Sequence, residues 1–523
     1  MKYLIIGLFL LTNLNIVLPQ SGQLDLSFNN TGKVITQFEN QDIFTHAVVI
    51  QQDGKILVAG TATPSSNQSD YAVIRYYPDG KLDSSFNKTG KLLIDFFGKS
   101  DECFGIAVQT DGKILLTGRI YKQNFERKIG LVRLNDDGSL DDTFGTKGIA
   151  INEADNNGET SQNVFVLDDD KIILTGAINT KYYNTCAVFK YKANGSLDSL
   201  FGNNGIATVT VPETYSSSFG VVQPDGKIIT GGLTGTLNYT HILMVRFNPV
   251  GIVDSSFGID GIVETDFLEQ DESPYRIALQ ADKKILLVDG VTNVEGRDFG
   301  LVRYNEDGKL DKTFGNNGIV VTDFLLTSNT AHSLVIQQDQ KILLSGFLGV
   351  TPKHDFAIAR YNTDGSLDTE FGTSGKLVTD FGNDDLAFDM AIQKDNKIVV
   401  AGLSIDNSLL GRFAVSRYLS GLEGVSTKEP NFEIKILTVY PNPTITGATL
   451  EYTLTKNKML NISLCDLSGE LIQCFVQNEE RREGKNREFL NLYSGLKPGN
   501  YVVVLDDKIS KIGINLCIQN PKK

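Results

Sequence analysis

One phrase returns seven times in this chain and constrains its fold more than any other feature. The consensus of the copies is a strand end of the Arg-Tyr type, a turn of the Asn-x-Asp-Gly type, and then Leu-Asp-x-Ser-Phe-Gly-x-x-Gly, with substitutions in individual copies. The copies begin at intervals of 56 to 58 residues, at Leu24, Leu82, Leu140, Leu197, Val253, Leu310 and Leu367. A repeat longer than about 40 residues is typical of a propeller or a solenoid. About 395 of the 523 residues therefore form one repeating architecture.

Each unit predicts four short strands, because runs of apolar and β-branched residues alternate with turn residues. In the first unit these runs cover 33–38, 47–51, 55–60 and 71–76. Between the second and third runs, Asp53-Gly54-Lys55 predicts a two-residue hairpin turn, since glycine accepts positive φ. Four units replace this glycine, with Asp170, Lys283, Gln340 and Asn396. Four antiparallel strands per repeat correspond to one blade of a β-propeller.

The turn after the fourth strand predicts a set of structural ion pairs. If residues 78–80 form its loop, Arg75 faces Asp83 directly across the two strands. The same offset of eight residues pairs Arg133 with Asp141, Lys190 with Asp198, Arg246 with Asp254, Arg303 with Asp311, and Arg360 with Asp368. Each pair is expected to contribute about 0.2–1 kcal/mol, so its value lies as much in fixing the register as in stability.

The first and last repeats leave two complementary charges unpaired. Arg417 has no partner downstream, and Asp25 has none upstream. A closed ring pairs them, because the N-terminal strand from Leu24 to Phe38 then lies beside 414–418 and completes the last sheet. The sequence therefore predicts an all-β fold, a seven-bladed β-propeller closed by its N-terminal strand, with an open solenoid as the alternative. One Phe of each phrase is expected to pack between blades: Phe28, Phe86, Phe144, Phe201, Phe257, Phe314 and Phe371.

The segments DGKILVAG and YAVIRYYPDGKLDSSF, with their six relatives, resemble the delta-60 repeat family. The resemblance covers residues 24–418 and implies a propeller-like β domain. It brings no known catalytic residues with it. The absence of Trp, and of recurrent Trp-Asp pairs, argues against a WD40 propeller.

The two ends of the chain differ from the repeats. Residues 1–20 begin with Met1-Lys2 and a short apolar run, which predicts a secretory signal peptide, with an N-terminal anchor as the alternative. No later segment is long and apolar enough to span a bilayer, so we expect no transmembrane segment in the mature chain. The repeat region is expected over 21–418. A polar linker is predicted over 419–435 and a small immunoglobulin-like β-sandwich over 436–518.

Three motifs of this C-terminal region appear in a specific order. They are Tyr440-Pro441-Asn442-Pro443, the turn Asp466-Leu467-Ser468-Gly469, and the segment from Leu496 to Tyr501. In this order they resemble the type A sorting domain of bacterial type IX secretion. The resemblance implies the type IX secretion machinery as a partner and an exported protein, at the outer-membrane surface or in the extracellular space. The chain runs on to Lys523, which departs from the family pattern, and an ordinary accessory domain is the alternative.

Charge and motifs narrow the function. A formal net charge of −14 repels phosphate backbones, so we expect no nucleic-acid partner. The four histidines form no metal-binding pair, and no catalytic or nucleotide-binding motif is present, so no catalytic residue, metal or cofactor is predicted. Calcium at the Asn-x-Asp-Gly phrase and a metal shared by His46 and His332 are the alternatives. The sevenfold acidic and basic residues are assigned to structure.

Function is expected where the repeats disagree, since loops on a rigid scaffold carry recognition. The innermost strands enter the predicted ring at one variable position, which reads His46, Phe104, Gln162, Ser218, Tyr275, His332 and Phe388. Aromatic and polar groups around a central opening suit a glycan or protein ligand. The sequence predicts a binding or scaffold protein that is not an enzyme. A secreted polysaccharide hydrolase or lyase, a passive surface-layer role, and loop packing without any ligand are the alternatives.

Overall fold

The structure is a computed structural model, and its descriptions apply to residues 21–64, 68–122, 126–152, 158–179, 184–214, 216–236, 239–266, 274–293, 296–324, 328–350, 352–406, 408–422, 434–440, 444, 446–454, 457–466, 471–506 and 511–518. The predicted signal peptide and most of the predicted linker lie outside these residues. Within them, the chain contains no helix long and apolar enough to cross a membrane.

The part of the chain before residue 420 is built from short strands. They run over Lys33–Thr36 (β1), Gln41–Ile50 (β2), Ile56–Pro64 (β3), Asp70–Tyr76 (β4), Lys91–Ile94 (β5), Asp101–Val108 (β6), Ile114–Tyr121 (β7), Arg127–Leu134 (β8), Ile149–Ile151 (β9), Glu159–Val166 (β10), Ile172–Asn179 (β11), Asn184–Tyr191 (β12), Ile206–Val209 (β13), Ser216–Val222 (β14), Ile228–Thr236 (β15), Tyr239–Phe247 (β16), Ile262–Thr265 (β17), Pro274–Leu279 (β18), Ile285–Asn293 (β19), Gly296–Tyr304 (β20), Ile319–Thr322 (β21), Asn329–Ile336 (β22), Ile342–Val350 (β23), Lys353–Tyr361 (β24), Lys376–Thr379 (β25), Asp384–Ile392 (β26), Ile398–Ile405 (β27) and Gly411–Tyr418 (β28).

In the described residues these strands form seven antiparallel sheets of four strands each. Six sheets take four consecutive strands in order, from β2-β3-β4-β5 to β22-β23-β24-β25. The seventh has the order β1-β28-β27-β26, so its outer strand comes from the other end of the repeat region. The repeated four-stranded unit predicted from the sequence is therefore present.

The composite sheet brings the two ends of the repeat region together. β1 pairs with β28 from Lys33 opposite Ser416 to Thr36 opposite Phe413. Further out, the Arg417 guanidinium lies 2.7 Å from the Asp25 carboxylate. The two charges that the repeats left unpaired thus contact each other.

Inner strands of successive sheets pack together, and the phenylalanine of each phrase lies at the contact between sheets. Phe28 is fully buried against Gly80 of the next sheet. A Cβ at Gly80 would approach the Phe28 ring to 2.8 Å, and Gly80 also has a φ of +86°. The glycine that ends the Asn-x-Asp-Gly turn is therefore required both by the turn and by the neighbouring aromatic ring.

Both recurrent turns are three-residue loops. In the first, the Gln51 N–H donates to the Lys55 carbonyl at 2.9 Å, so the predicted two-residue turn is wrong by one residue. The last loop residue, Gly54, has a φ of +86°. This left-handed position persists where glycine is absent, at Asp170, Lys283, Gln340 and Asn396.

Six of the seven predicted ion pairs form, and they are buried. The Arg Nε or Nη2 atom lies 2.7–2.9 Å from the Asp carboxylate in pairs Arg75–Asp83, Arg133–Asp141, Arg246–Asp254, Arg303–Asp311, Arg360–Asp368 and Arg417–Asp25. In the first, Arg75 is 1% and Asp83 0% exposed. Burial acts to raise the pKa of Asp141, but hydrogen bonds from Thr143 and the charge of Arg133 lower it to about 2.

The arginines of these pairs make further contacts that the sequence did not predict. Each guanidinium also stacks on the Phe of its own phrase, 4.1–4.8 Å from the ring centroid. It donates as well to a carbonyl in the turn of the next sheet, as Arg133 does to Ala193 at 2.6 Å. The arginine therefore joins two sheets. The aspartate has a second cation, because the lysine of the first recurrent turn also approaches it, as Lys284 approaches Asp311 at 3.0 Å.

Lys190 departs from the pattern. Its ammonium donates to the Pro249 carbonyl at 3.4 Å, while the Asp198 carboxylate lies 3.9 Å from Lys171. The predicted Lys190–Asp198 ion pair is absent from the described contacts. A single ammonium cannot contact the aspartate and the next turn together, as the forked guanidinium does.

The C-terminal region contains two further antiparallel sheets. Its strands run over Ile434–Tyr440 (β29), Gly447–Leu454 (β30), Lys458–Cys465 (β31), Leu471–Arg481 (β32), Gly484–Asn491 (β33), Gly499–Asp506 (β34) and Lys511–Ile518 (β35). The sheets have the orders β29-β30-β33 and β32-β31-β34-β35. Tyr452 of the first sheet shares one buried core with Ile462 and Leu505 of the second, as a β-sandwich requires.

Candidate functional site

The seven residues predicted to form a binding ring occupy one structural position. In each inner strand the pairing register shifts by one residue, which is a β-bulge. The bulged residues are His46, Phe104, Gln162, Ser218, Tyr275, His332 and Phe388. A bulge interrupts the alternation of side chains along a strand and changes the direction of the bulged side chain. The variable sequence position therefore coincides with an irregularity in the backbone.

Five of these side chains lie in one continuous group. We call Tyr275, His332, Phe388, Phe44, His46 and Phe104 the aromatic cluster. Ring centroids in it are 4.1 Å apart for Tyr275–His332, 5.0 Å for His332–Phe388, 4.8 Å for Phe388–Phe44, 4.9 Å for Phe44–His46 and 4.9 Å for His46–Phe104. The bulges of β10 and β14 carry Gln162 and Ser218, so the aromatic character ends there.

The cluster gains members that the sequence did not identify. Phe44 precedes His46 by two residues and is 45% exposed. Phe347 stacks on His332 at 5.3 Å and contacts His354 at 5.2 Å. Arg119 occupies the position in β7 that Phe347 occupies in β23, and it lies over the ring of Phe104. An alignment of the repeats therefore shows that this position lies beside the bulge residue.

Both histidines of the cluster are uncharged at neutral pH. Burial, with the nearby Arg119 charge, lowers the pKa of His46 to about 3. Burial lowers the pKa of His332 to about 3 as well, aided by Arg297 and His46. Two neutral imidazoles can stack and hydrogen-bond without favouring an anionic ligand.

A polar network follows the cluster by one residue along the inner strands. Asp389, next to Phe388, is 4% exposed. Its carboxylate accepts hydrogen bonds from Arg276, from the Ser333 hydroxyl at 2.8 Å and from the Val48 N–H at 2.9 Å. The Arg276 guanidinium also lies 3.5 Å from Asn163 Oδ1. Residues of β2, β10, β18, β22 and β26 are thereby joined across the interior.

The other carboxylates beside the cluster have basic partners. Glu102 contacts the guanidinium of Arg119, and Asp384 lies 2.7 Å from His354 Nδ1. Glu102, Asp384 and Asp389 thus each contact a basic side chain beside the aromatic cluster.

A cavity of about 700 Å³ lies at the other end of the inner strands, beside the repeated turns. Its lining includes Gln223, Leu279, Gln280, Ile336 and Gln337. The Gln280 and Gln337 oxygens accept hydrogen bonds from Arg303 and Arg360, at 3.4 and 3.3 Å. Its walls are therefore partly made of the repeated structural residues.

Two family models match this chain. "Domain of unknown function (DUF5122) beta-propeller" matches residues 51–86, 109–144, 223–257, 280–314 and 337–371. Two units are not matched. One is the unit that carries Lys190 in place of arginine, and the other is divided between the two ends of the repeat region. "Secretion system C-terminal sorting domain" matches residues 438–519.

No curated protein matches the sequence. Among solved structures, a fungal alcohol oxidase of the AA5 family in complex with copper is 13% identical, with 93% of this chain and 98% of that chain covered and a TM-score of 0.41. A protein of unknown function from Dyadobacter fermentans DSM 18053 is 13% identical, with coverage of 74% and 97% and a TM-score of 0.40. A PL25 ulvan lyase is 12% identical, with coverage of 74% and 95% and a TM-score of 0.43.

At identities this low, no activity transfers to this chain from those structures. The family matches are different, because they cover defined segments that coincide with the repeated sheets and with the C-terminal sandwich. The chain carries DUF5122 β-propeller repeats followed by a secretion system C-terminal sorting domain, the domain by which proteins of type IX secretion are exported to the cell surface or the extracellular space.

Proposed function

We propose that this chain is an exported β-propeller that binds a glycan or protein ligand through the aromatic cluster and is not an enzyme. The observation that carries the proposal is the unbroken series of ring contacts from Tyr275 to Phe104, with Phe44 exposed at its surface. Aromatic faces bind the apolar faces of sugars and the side chains of peptides. Asp389, which accepts hydrogen bonds from Arg276, Ser333 and Val48, supports the strands that carry the cluster.

The proposal includes a closed, seven-bladed ring. Three contacts support closure at the same place: the β1–β28 ladder, the packing of β2 against β26, and the donation from Arg417 to the Pro78 carbonyl of the first repeated sheet. A closed ring is the arrangement that would hold the seven bulges around one opening. Deletion of residues 21–36 would leave β28 as an unpaired edge, and we expect this variant to aggregate or to unfold at lower urea concentration.

Binding is tested with the protein from residue 21 to 523 against glycan and peptide libraries, followed by titration calorimetry with each ligand found. We expect Phe388→Ala and Tyr275→Ala to weaken binding by about 10-fold or more, since an aromatic contact contributes about 1–3 kcal/mol. Phe97→Ala is the matched control, because Phe97 is 40% exposed and lies outside the cluster. Equal affinities for all four proteins would remove the cluster from the function.

The hydrolase or lyase alternative has a separate readout. The same protein is incubated with acidic and neutral polysaccharides, and reducing ends and unsaturated products are measured. Turnover that Asp389→Asn abolishes while Phe97→Ala retains it would replace the binding proposal by the enzymatic one. Binding without turnover would support the scaffold.

Export is proposed to depend on the C-terminal domain, with the type IX secretion machinery as partner. In the native host, we expect a chain truncated after residue 435 to remain inside the outer membrane. Mass spectrometry of surface-bound and released material would then show which of the two locations the full-length chain reaches, and whether residues after about 435 are retained.

A further inference from the structure

Two groups of three aspartates lie between neighbouring sheets, at equivalent places in the repeat. We call the contact of the last two strands of one sheet with the first strand of the next a junction. The first junction, between β4, β5 and β6, contains Asp70, Asp95 and Asp101. In each group, one oxygen from each carboxylate lies within 4.8 Å of the other two.

The sixth junction, between β24, β25 and β26, repeats this arrangement with Asp355, Asp380 and Asp385. The strand registers show the equivalence. Tyr71 lies opposite Ile94 next to Asp70 and Asp95, and Phe356 lies opposite Thr379 next to Asp355 and Asp380. In both groups the first aspartate is partly buried, the second exposed and the third buried. Each group thus extends from the buried interior to the solvent-exposed surface.

None of the six carboxylates forms an ion pair with a basic side chain among the described residues. The two buried members are fully buried, with Asp101 and Asp385 each 0% exposed. Asp385 Oδ2 accepts the Phe381 N–H at 2.7 Å, but its Oδ1 is buried without a hydrogen-bond partner. A buried anionic oxygen without a partner is costly unless a proton or a cation joins it.

The fifth junction shows what replaces the third carboxylate when it is absent. There the equivalent residues are Asp298, Asp323 and Asn329. The Asn329 amide nitrogen lies 3.1 Å from one carboxylate and 3.5 Å from the other. In this junction the protein itself supplies a donor between two acids.

The second junction supplies a full positive charge. Its residue equivalent to Asp70 is Lys128, which is 1% exposed, and its Nζ lies 2.9 Å from Glu126. Junctions that carry a built-in amide or ammonium donor therefore contrast with the two that carry three carboxylates. The fifth junction differs from those two at one position, where the amide of Asn329 replaces a carboxylate.

We propose that the Asp70, Asp95 and Asp101 group and the Asp355, Asp380 and Asp385 group each bind a divalent cation, for which Ca²⁺ is the best fit. Carboxylate oxygens are the ligands that Ca²⁺ takes, at about 2.3–2.6 Å, so opposite ligands stand up to about 5 Å apart. That spread accommodates the observed groups, whereas Mg²⁺ with ligands at about 2.1 Å requires a tighter set. The ion would join the outer strands of one sheet to the inner strand of the next.

The test is calorimetric titration of CaCl₂ into the EDTA-treated protein from residue 21 to 523, with thermal unfolding in parallel. We expect about two ions per chain, Kd values near about 10⁻⁴ M as in other extracellular modules, and a higher melting temperature with Ca²⁺. Asp101→Asn and Asp385→Asn should each remove one ion, and the double variant should remove both. These changes reproduce the asparagine of the fifth junction, so the variants are expected to fold.

Two further variants make the result specific. Asp323→Asn, in the fifth junction, is the matched control and should leave two ions bound. Asn329→Asp should create a third site in that junction and raise the stoichiometry by about one. No saturable Ca²⁺ binding by the wild-type protein below about 1 mM, or unchanged binding by the double variant, would overturn the proposal.

Discussion

The repeated phrase and the bulge positions lie in the same seven sheets but follow opposite rules. At the phrase, six arginines make the same three contacts: an aspartate, a phenylalanine ring and a carbonyl of the next sheet. At the bulges, seven equivalent positions carry five different residue types. Residues that repeat therefore make the same contact at each sheet boundary, whereas the residues at the bulges differ from sheet to sheet and form an aromatic cluster along only part of the series.

Removal of a repeated arginine is expected to have the largest effect on stability. Arg303→Ala leaves Lys284, 3.0 Å away, as the remaining cation beside Asp311. It also removes the contacts of the guanidinium with the Phe314 ring and the Thr363 carbonyl, and we expect the free energy of unfolding to fall by about 3 kcal/mol. Lys190→Ala is the control in the divergent unit and should lose less than about 1 kcal/mol, since Lys190 makes no contact with Asp198 among the described contacts. Urea unfolding of both variants is the measurement. Equal losses would show that the repeated contacts are not what joins the sheets.

The next test concerns a position that varies between junctions. Burial raises the pKa of Asp101 to about 7, with Asp95 and Asp70 adding to the effect and the N–H groups of Phe96 and Tyr121 opposing it. Because the folded pKa exceeds that of the unfolded chain, this carboxyl favours folding at low pH and loses that contribution as pH rises from about 4 through 7.

In metal-free protein we therefore expect Asp101→Asn to be more stable than the wild type at pH 8, by about 2–4 kcal/mol, and similar to it at pH 4. Unfolding by urea at both pH values measures the difference. The other acids facing this group, Asp70 and Asp95, are unchanged in the variant. A stability difference between Asp101→Asn and the wild type that is the same at both pH values would contradict the raised pKa of Asp101.

The histidines of the aromatic cluster predict a further pH dependence of stability. Their folded pKa values of about 3 lie below that of an unfolded histidine, so the unfolded chain takes up protons first as pH falls from 6.5. Stability should fall over that range by about 1 kcal/mol for each histidine at pH 5, given that both rings keep some contact with water. In His46→Gln and His332→Gln, where the charges of Arg119 and Arg297 remain, this part of the pH dependence should disappear. An unchanged slope between pH 6.5 and 5 would show that the histidines do not titrate in this way.

The smallest expected effect comes from the first recurrent turn. Gln340 and Lys283 occupy the left-handed position with φ of 67° and 69°, which glycine adopts without strain. We expect Gln340→Gly and Lys283→Gly to raise the free energy of unfolding by about 0.5–1 kcal/mol. Gln338→Gly, two residues before Gln340 and outside the left-handed region, should lower it. Thermal unfolding of the three variants would detect both signs.

The sequence predicted the repeated sheets well because the Asn-x-Asp-Gly turn fixes register locally. The opposition of Arg75 and Asp83 follows directly from the length of one loop. It did not predict that the arginine would be buried and would reach the next sheet, because that depends on how sheets stack. The loss of the Lys190–Asp198 pair follows from the single ammonium of lysine. The charge pattern does not distinguish this group from the forked guanidinium of arginine.

The candidate site was predicted in part. The seven variable positions were identified by alignment of the repeats, but their bulged backbone was not, since no residue type marks it. The sequence did not predict the aspartate groups, because Asp70, Asp95 and Asp101 belong to three separate segments and form no short motif. An alignment of the junction positions across the repeats identifies both aspartate groups.

The pairing of β1 with β28 sets an order of events for folding. Ser27 and Arg417 touch although 390 residues separate them in the chain. β1 therefore emerges during synthesis long before β28, with which it pairs, and loop closure over so long a separation is slow. Until then the chain has two exposed sheet edges that fit each other, so a truncated or partly exported molecule could pair them with a second copy instead.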